Sequence, residues 1–230
     1  GLLSHVTAAF SEDPLRVLRI ARFAAKLGRF GFRVAHGTHR LLIEMVDAGA
    51  MQELTAERVW RETRRALETD QPWRYFEVLQ RCGALQHLLP MFSEAVGEGV
   101  AHAPAEDSAP MAALKRMAAQ TTQPTQRLLA TLWSVVVDAE TAEQVVTRLR
   151  VDRLTAQQLR RMAAAHLAWD RAVEGDYDAM AALALEWLAV DASQRQALIE
   201  AAAARGDVQA AKEMRVFLKR LEKGARGEGA

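Results

Sequence analysis

Four basic residues, Arg16, Arg19, Arg22 and Lys26, recur every three or four positions in SEDPLRVLRIARFAAKLGRFGF, just after the acids Glu12 and Asp13. On a helix that spacing places them on one face. A guanidinium is planar and carries several donors, which suits phosphate oxygens and base edges, and a neighbouring carboxylate supplies acceptors. Two plain explanations compete with a ligand. Arginines at this spacing make an ordinary solvated face, and acids at a helix start complement its dipole. The company argues against both. Leu15, Val17, Leu18, Ile20, Ala21, Phe23 and Ala24 leave little of the circumference for water, and a helix apolar nearly all round is normally buried. Buried arginines need partners. The pattern therefore predicts a buried basic stripe that takes an anionic ligand.

The elements that carry this stripe follow from punctuation. Ser11 is the expected N-cap, Pro14 fits the first turn, and Gly28 or Gly31 ends the helix. Alternation over Leu2–Phe10 predicts a short N-terminal strand. Helices are expected over Ala35–Ala48, over LTAERVWRETRRALET with Thr55 as N-cap, and over PWRYFEVLQRCGALQHLLP up to Gly83 with a turn before Pro90. Ser93–Pro110 is small, polar and Gly/Pro-containing, and reads as a loop or linker. Helices follow near Met111–Ala119, Thr125–Val137, Ala139–Leu149, Ala156–Glu174, Tyr177–Leu188, Ala192–Arg205 and Asp207–Glu222, then a frayed tail. No fixed repeat period is visible. The expectation is an all-α chain of about nine or ten helices with a short N-terminal strand.

Composition narrows the class. The 230 residues balance 30 Lys and Arg against 29 Asp and Glu, so global charge points to no partner and any nucleic-acid surface must be local. The single cysteine, Cys82, excludes an internal disulfide and fits a reducing cytoplasm; beside Gly83 it reads as a small buried residue. No apolar run is long enough for a membrane span, and no signal peptide is visible. The chain opens Gly-Leu-Leu-Ser-His-Val without an initiator methionine, which reads as an excised piece, a processed chain or the ordered part of something longer.

HVTAAFSEDPLRVLRIARFAAKLGRFGF resembles the Glu-Asp-x-x-Arg motif, with its following Leu-Arg-x-x-Arg-Phe, of class II tRNA nucleotidyltransferases, the CCA-adding enzymes that share a superfamily with bacterial poly(A) polymerases. LLIEMVDAGAMQELTAERVWRETRRALETDQPWRYFEVLQRCGALQHLLPMF resembles that family's neck and RNA-binding segment, with Glu57, Arg58 and Glu62 in its Glu-Arg-x-x-x-Glu helix. The resemblance implies a multi-helix neck, body and tail array: residues 1–30 as the end of the head plus the base-recognition helix, 31–92 as neck, 93–110 as linker, 111–222 as body and tail, and 223–230 as frayed tail. It implies nucleotide binding by Asp13, Arg16 and Arg19, with Glu12 orienting the arginine, and a bracing ion pair for Arg22. The chemistry fits. Adenine and cytosine offer an amino donor beside a ring-nitrogen acceptor, which a carboxylate and a guanidinium match; guanine and uracil present the opposite pattern.

Arg58, Arg61, Arg64 and Arg65, with Trp60, Trp73 and Arg74, make a basic stretch punctuated by aromatics, suited to RNA phosphates. The competing reading is core tryptophans on an amphipathic helix with a solvated basic face. The family's catalytic carboxylates, in a Gly-Ser plus Asp-x-Asp pattern that binds Mg2+, have no counterpart here. Asp176 and Asp178 share the spacing but read as a helix start. A His-Asp phosphohydrolase pair would fall where Trp133 and Ser134 stand, and His102 and His166 lack companions at metal spacing. The expectation is thus no catalytic residue and no metal in this chain, with tRNA, CTP and ATP as partners and a head outside it. A poly(A) polymerase body, a stand-alone RNA- or partner-binding helical module, and a plain helical scaffold are the alternatives.

Overall fold

A computed structural model describes residues 1–97, 108–188, 192–205 and 207–225. Among these the chain is helical, with thirteen α-helices and one two-stranded parallel sheet. The strands are β1 (Leu2–Leu3) and β2 (Arg33–Val34), paired Leu2 to Arg33 and Leu3 to Val34. The predicted strand is therefore far shorter than Leu2–Phe10. Ala8–Glu12 instead forms a 3-10 turn.

The first helix, α1 (Leu15–Leu27), starts later than expected, and Ser11 does not cap it. Pro14 disfavours helical backbone at the residue before it, and Asp13 is extended (φ −120°, ψ 107°). Its Oδ1 accepts the Leu15 backbone N–H at 3.1 Å. Gly31, at φ 77°, turns the chain after a further 3-10 turn.

The N-terminal unit continues with α2 (His36–Asp47), α3 (Ala56–Leu67), α4 (Trp73–Arg81), α5 (Ala84–Leu88) and α6 (Pro90–Val96). Leu15, Leu18, Ala21 and Ala25 of α1 are buried as it packs on α3 and α4. The start of the expected linker is wrong: Ser93–Val96 is helical, because Phe92 and Val96, four apart, bury one face of α6. Residues 98–107, including His102, lie outside the described residues.

The second unit runs through α7 (Ala109–Ala118), α8 (Pro124–Leu132), α9 (Ala139–Leu149), α10 (Arg153–Val173), α11 (Tyr177–Leu188), α12 (Ala192–Arg205) and α13 (Val208–Ala225). α8 stops short of the expected Val137, and α13 extends past Glu222. α7, α8 and α12 pack together, α10 bridges α9 and α11, and α3 meets α8 and α9 between the units. No helix among the described residues is long and apolar enough to cross a membrane.

Candidate nucleotide and RNA site

The pairings between α1 and α3 advance in step along both segments. Asp13 meets Arg58, Arg22 meets Glu62, and Arg29 meets Asp70. The two helices therefore run parallel, with a charged seam between them. The basic stripe lies at this surface seam rather than inside the core: Arg19 and Lys26 are exposed and only Arg16 and Arg22 are partly covered. The apolar residues that made burial look necessary all face the other way, apart from Phe23, which stays 38% exposed.

At the N-terminal end of the seam, Asp13 is the hub. Its Oδ1 accepts from Arg58 Nη2 at 3.1 Å as well as from the Leu15 N–H. Its Oδ2 lies 3.8 Å from Arg19 Nη1. An ionised carboxylate has about four acceptor sites, so Oδ2 keeps capacity for a further donor. Arg16 donates to the Ala9 carbonyl and sits 5.7 Å from the Phe10 ring centre. Glu12 is exposed and borders a separate groove with Leu41 and Met45 on the α2 side. Arg16 is thus oriented here by Ala9 and Phe10, because the 3-10 turn ahead of the extended Asp13 carries Glu12 away from it.

In the middle of the seam, Arg22 Nε donates to Glu62 Oε2 at 2.6 Å, the bracing pair expected of it. Glu62 is 2% exposed and also meets Arg65 at 3.7 Å. Behind it, Thr63 and the Tyr75 hydroxyl hydrogen-bond at 2.9 Å, and burial pushes the Tyr75 phenol well up.

The four RNA candidates on α3 part company. Arg58 serves Asp13, Arg65 serves Glu62, and Arg64 pairs along the helix with Glu68 at 3.7 Å. Arg61 is exposed. Trp60 is in the core and Trp73 packs partly against it, so the tryptophans take the structural reading.

Sequence reasoning missed two links between the units. Arg127 is 1% exposed and donates to the carbonyls of Leu67 (2.5 Å), Thr69 (2.6 Å), Ala118 (3.0 Å) and Thr121 (2.6 Å). Burial lowers its pKa, opposed by the charge of Asp70. Arg150, at φ 46°, donates to Glu57 at the start of α3, which with Glu57's backbone hydrogen bond holds that carboxyl below its usual range. No short-range signal marks either one, since each depends on a partner tens of residues away.

Where a His-Asp pair would fall, Trp133 is fully buried. It meets Trp169 edge-on with ring centres 5.9 Å apart, and Trp169 stacks on Trp187 at 5.7 Å. His166 does have an acid one turn on: its Nε2 lies 3.3 Å from Asp170 Oδ2. Asp176 accepts the Ala179 N–H at 2.9 Å and pairs with Arg171, as a helix start does. Cys82 is buried, and desolvation pushes its thiol up to about 11. Among the described residues no group of three or more His, Cys, Asp or Glu converges to hold a metal.

Comparison with known proteins gives a consistent result. Residues 31–96 match the family described as "Probable RNA and SrmB-binding site of polymerase A". The "Multifunctional CCA protein" of Actinobacillus pleuropneumoniae serotype 5b is 47% identical over 138 residues, covering 57% of this chain and 34% of that protein. The chain thus spans about a third of the length of the curated relatives it matches. A Thermotoga maritima CCA-adding enzyme complexed with tRNA shares the fold (TM-score 0.61, 19% identity, 95% of this chain and 52% of that one). So does a CCA-adding enzyme complexed with CTP (TM-score 0.63, 20% identity, 100% of this chain and 54% of that one). The motif at the head of α1, the matched segment after it and the shared helical array agree: in sequence over part of its length and in fold, the chain is similar to CCA-adding tRNA nucleotidyltransferases and, through the matched segment, to polymerase A.

Proposed function

We propose that this chain is the base-selecting and tRNA-holding portion of a cytoplasmic enzyme that rebuilds the CCA end of tRNA from CTP and ATP. The observation that carries the reading is the acid–guanidinium pair at the head of α1, Asp13 and Arg16, in a chain 47% identical over 138 residues to a multifunctional CCA protein. Arg58 and the Leu15 N–H fix Asp13 through Oδ1, which leaves Oδ2 to accept the amino group of cytosine or adenine. Arg16, on release from the Ala9 carbonyl, donates to the ring nitrogen beside that amino group. Guanine or uracil would set a carbonyl against the carboxylate and an N–H against the guanidinium, leaving both protein groups mispaired. Arg19 adds a second cation beside the base-reading pair. Arg58, Arg61, Arg64 and Arg65 supply sequence-independent affinity for RNA phosphates.

In nucleotidyl transfer, Mg2+ activates the attacking 3′ hydroxyl and neutralises the triphosphate. In this reading that chemistry falls to a head domain, and this chain's residues supply base selection and RNA affinity. The matched segment's description, which names polymerase A, keeps poly(A) synthesis as a second reading. Nucleotide incorporation by the intact enzyme separates the two: CTP followed by ATP on a tRNA lacking CCA is expected, and use of ATP alone would establish the polymerase. In the same assay, Asp13→Ala and Arg16→Ala should relax base choice and slow turnover while tRNA binding is largely kept. Unchanged selectivity would refute the template role.

A further inference from the structure

The C-terminal end of the α1–α3 seam opens into a groove of about 490 Å³. Four cationic side chains, Arg22, Lys26, Arg29 and Arg65, border it against two carboxylates, Glu68 and Asp70. Those carboxylates are already engaged, Glu68 with Arg64 and Asp70 with Arg29. Lys26 is exposed and has no carboxylate partner among the described residues. The Arg29–Asp70 pair, at 2.7 Å, is 55% exposed on both sides, the kind of surface pair that a phosphate displaces readily. Phe30 closes the groove with its ring 61% exposed and the Arg29 guanidinium 4.5 Å from the ring centre.

Cations at the end of a helix also complement its dipole. That accounts for Lys26 and Arg29 alone. It does not account for Arg65, which comes from a second helix and stays 57% exposed although it lies 3.7 Å from Glu62, or for a phenylalanine left in water beside Arg29. Cations from two elements around an exposed aromatic ring are what a single-stranded nucleic acid needs: charge for the backbone and a flat surface for a base.

We infer that this groove docks the phosphodiester backbone of the RNA upstream of its 3′ end, with Lys26 and Arg65 on phosphates and Phe30 stacking against an unpaired base. The inference rests on the tRNA reading above. Ten residues separate Arg16 from Lys26, so the groove lies about 15 Å along α1 from the base-reading pair. At about 3.4 Å per stacked nucleotide, a strand whose end meets Asp13 and Arg16 reaches the groove after about four or five nucleotides. One helix thereby reads the incoming base at its first turn and holds the growing strand at its last.

The test is fluorescence anisotropy of the 230-residue chain with a tRNA acceptor-stem hairpin, with and without an unpaired 3′ extension. Lys26→Gln combined with Arg65→Gln should weaken binding about tenfold at moderate salt and reduce the slope of log affinity against log salt by about 1–2. Phe30→Ala, a surface change, should weaken binding of the extended hairpin several-fold and leave the blunt hairpin unaffected. Thermal melting confirms that each variant is folded. RNA binding by the unaltered chain that is indifferent to all three substitutions would overturn the groove and leave the tRNA reading standing. No RNA binding by the unaltered chain would overturn both. Variants that keep RNA affinity but lose binding to a glutamate-rich peptide would make the groove a protein site, and the inference would fall.

Discussion

The seam between α1 and α3 and the interior of the α8–α11 unit solve the same packing problem with opposite materials. Along the seam, helices are held by Arg22, Glu62 and Arg65 around a single buried carboxylate, with water close by. In the second unit, Trp133, Trp169 and Trp187 fill the space with a stack of fully buried indoles. A charged seam stabilises weakly for its size, because desolvation offsets most of the attraction between the ions. It keeps donors and acceptors at the surface in fixed places, which an aromatic core does not. The first unit therefore gives up stability to present chemistry, and the second supplies the rigid mass behind it.

That contrast can be broken by mutation. Trp169→Ala removes the middle ring of the stack and leaves the Asp207 carboxylate without its indole donor. The expected cost is about 3–5 kcal/mol, read as the shift in a urea or thermal transition. Glu62→Ala strands Arg22 and Arg65 but opens onto solvent, so its cost should be about 3 kcal/mol, the low end for a broken buried pair. A Glu62 loss larger than that of Trp169 would mean that the seam, not the stack, dominates stability. Replacing Glu62 and Arg22 together by apolar residues should recover much of the loss, as it would not if the pair were a net stabiliser.

The smallest expected effect concerns pH. His39, half-buried on α2, has its pKa held below the usual value, first by burial and then by Arg81 and His36. The unfolded chain therefore binds this proton more readily than the folded one. Stability from this source is full above the unfolded value of about 6.5 and is lost as pH falls through the folded value. His39→Gln should flatten the dependence of the melting temperature on pH below about 6.5. An unchanged slope would assign it elsewhere.

The motif at α1 was legible because everything in it is local: two acids, a proline, then basic residues at helical spacing. The Arg22 brace could also be anticipated, though its partner on α3 is forty residues away. Legibility failed where identity depends on distant partners. Arg127 sits in PTQRLLATL and looks like any helical arginine, yet it is among the most buried side chains of the chain. Arg58 reads as a basic residue of an RNA-facing stretch, and its pairing with Asp13, forty-five residues away, has no local signal. The alternation over Leu2–Phe10 suits a longer strand, but a strand is only as long as its partner, and β2 offers two residues to pair with. The small, polar composition of Ser93–Val96 hides its helix, whose only sequence sign is the four-residue spacing of Phe92 and Val96. The apolar residues of α1 surround much of its circumference in sequence, yet most of them, Phe23 excepted, are buried where the helix packs on α3 and α4, which leaves the stripe at the surface.

Arg127 has a consequence for long-range attraction. Its guanidinium is solvated by four backbone carbonyls and meets no carboxylate directly among the described residues. It is in effect a cation dissolved in the protein, beneath Thr69 and within electrostatic reach of Asp70, both of which border the groove. Mobile ions cannot pair with such a charge directly, and only those outside the protein screen its field. A cation held this way adds to the positive potential around the groove without taking up any of its surface.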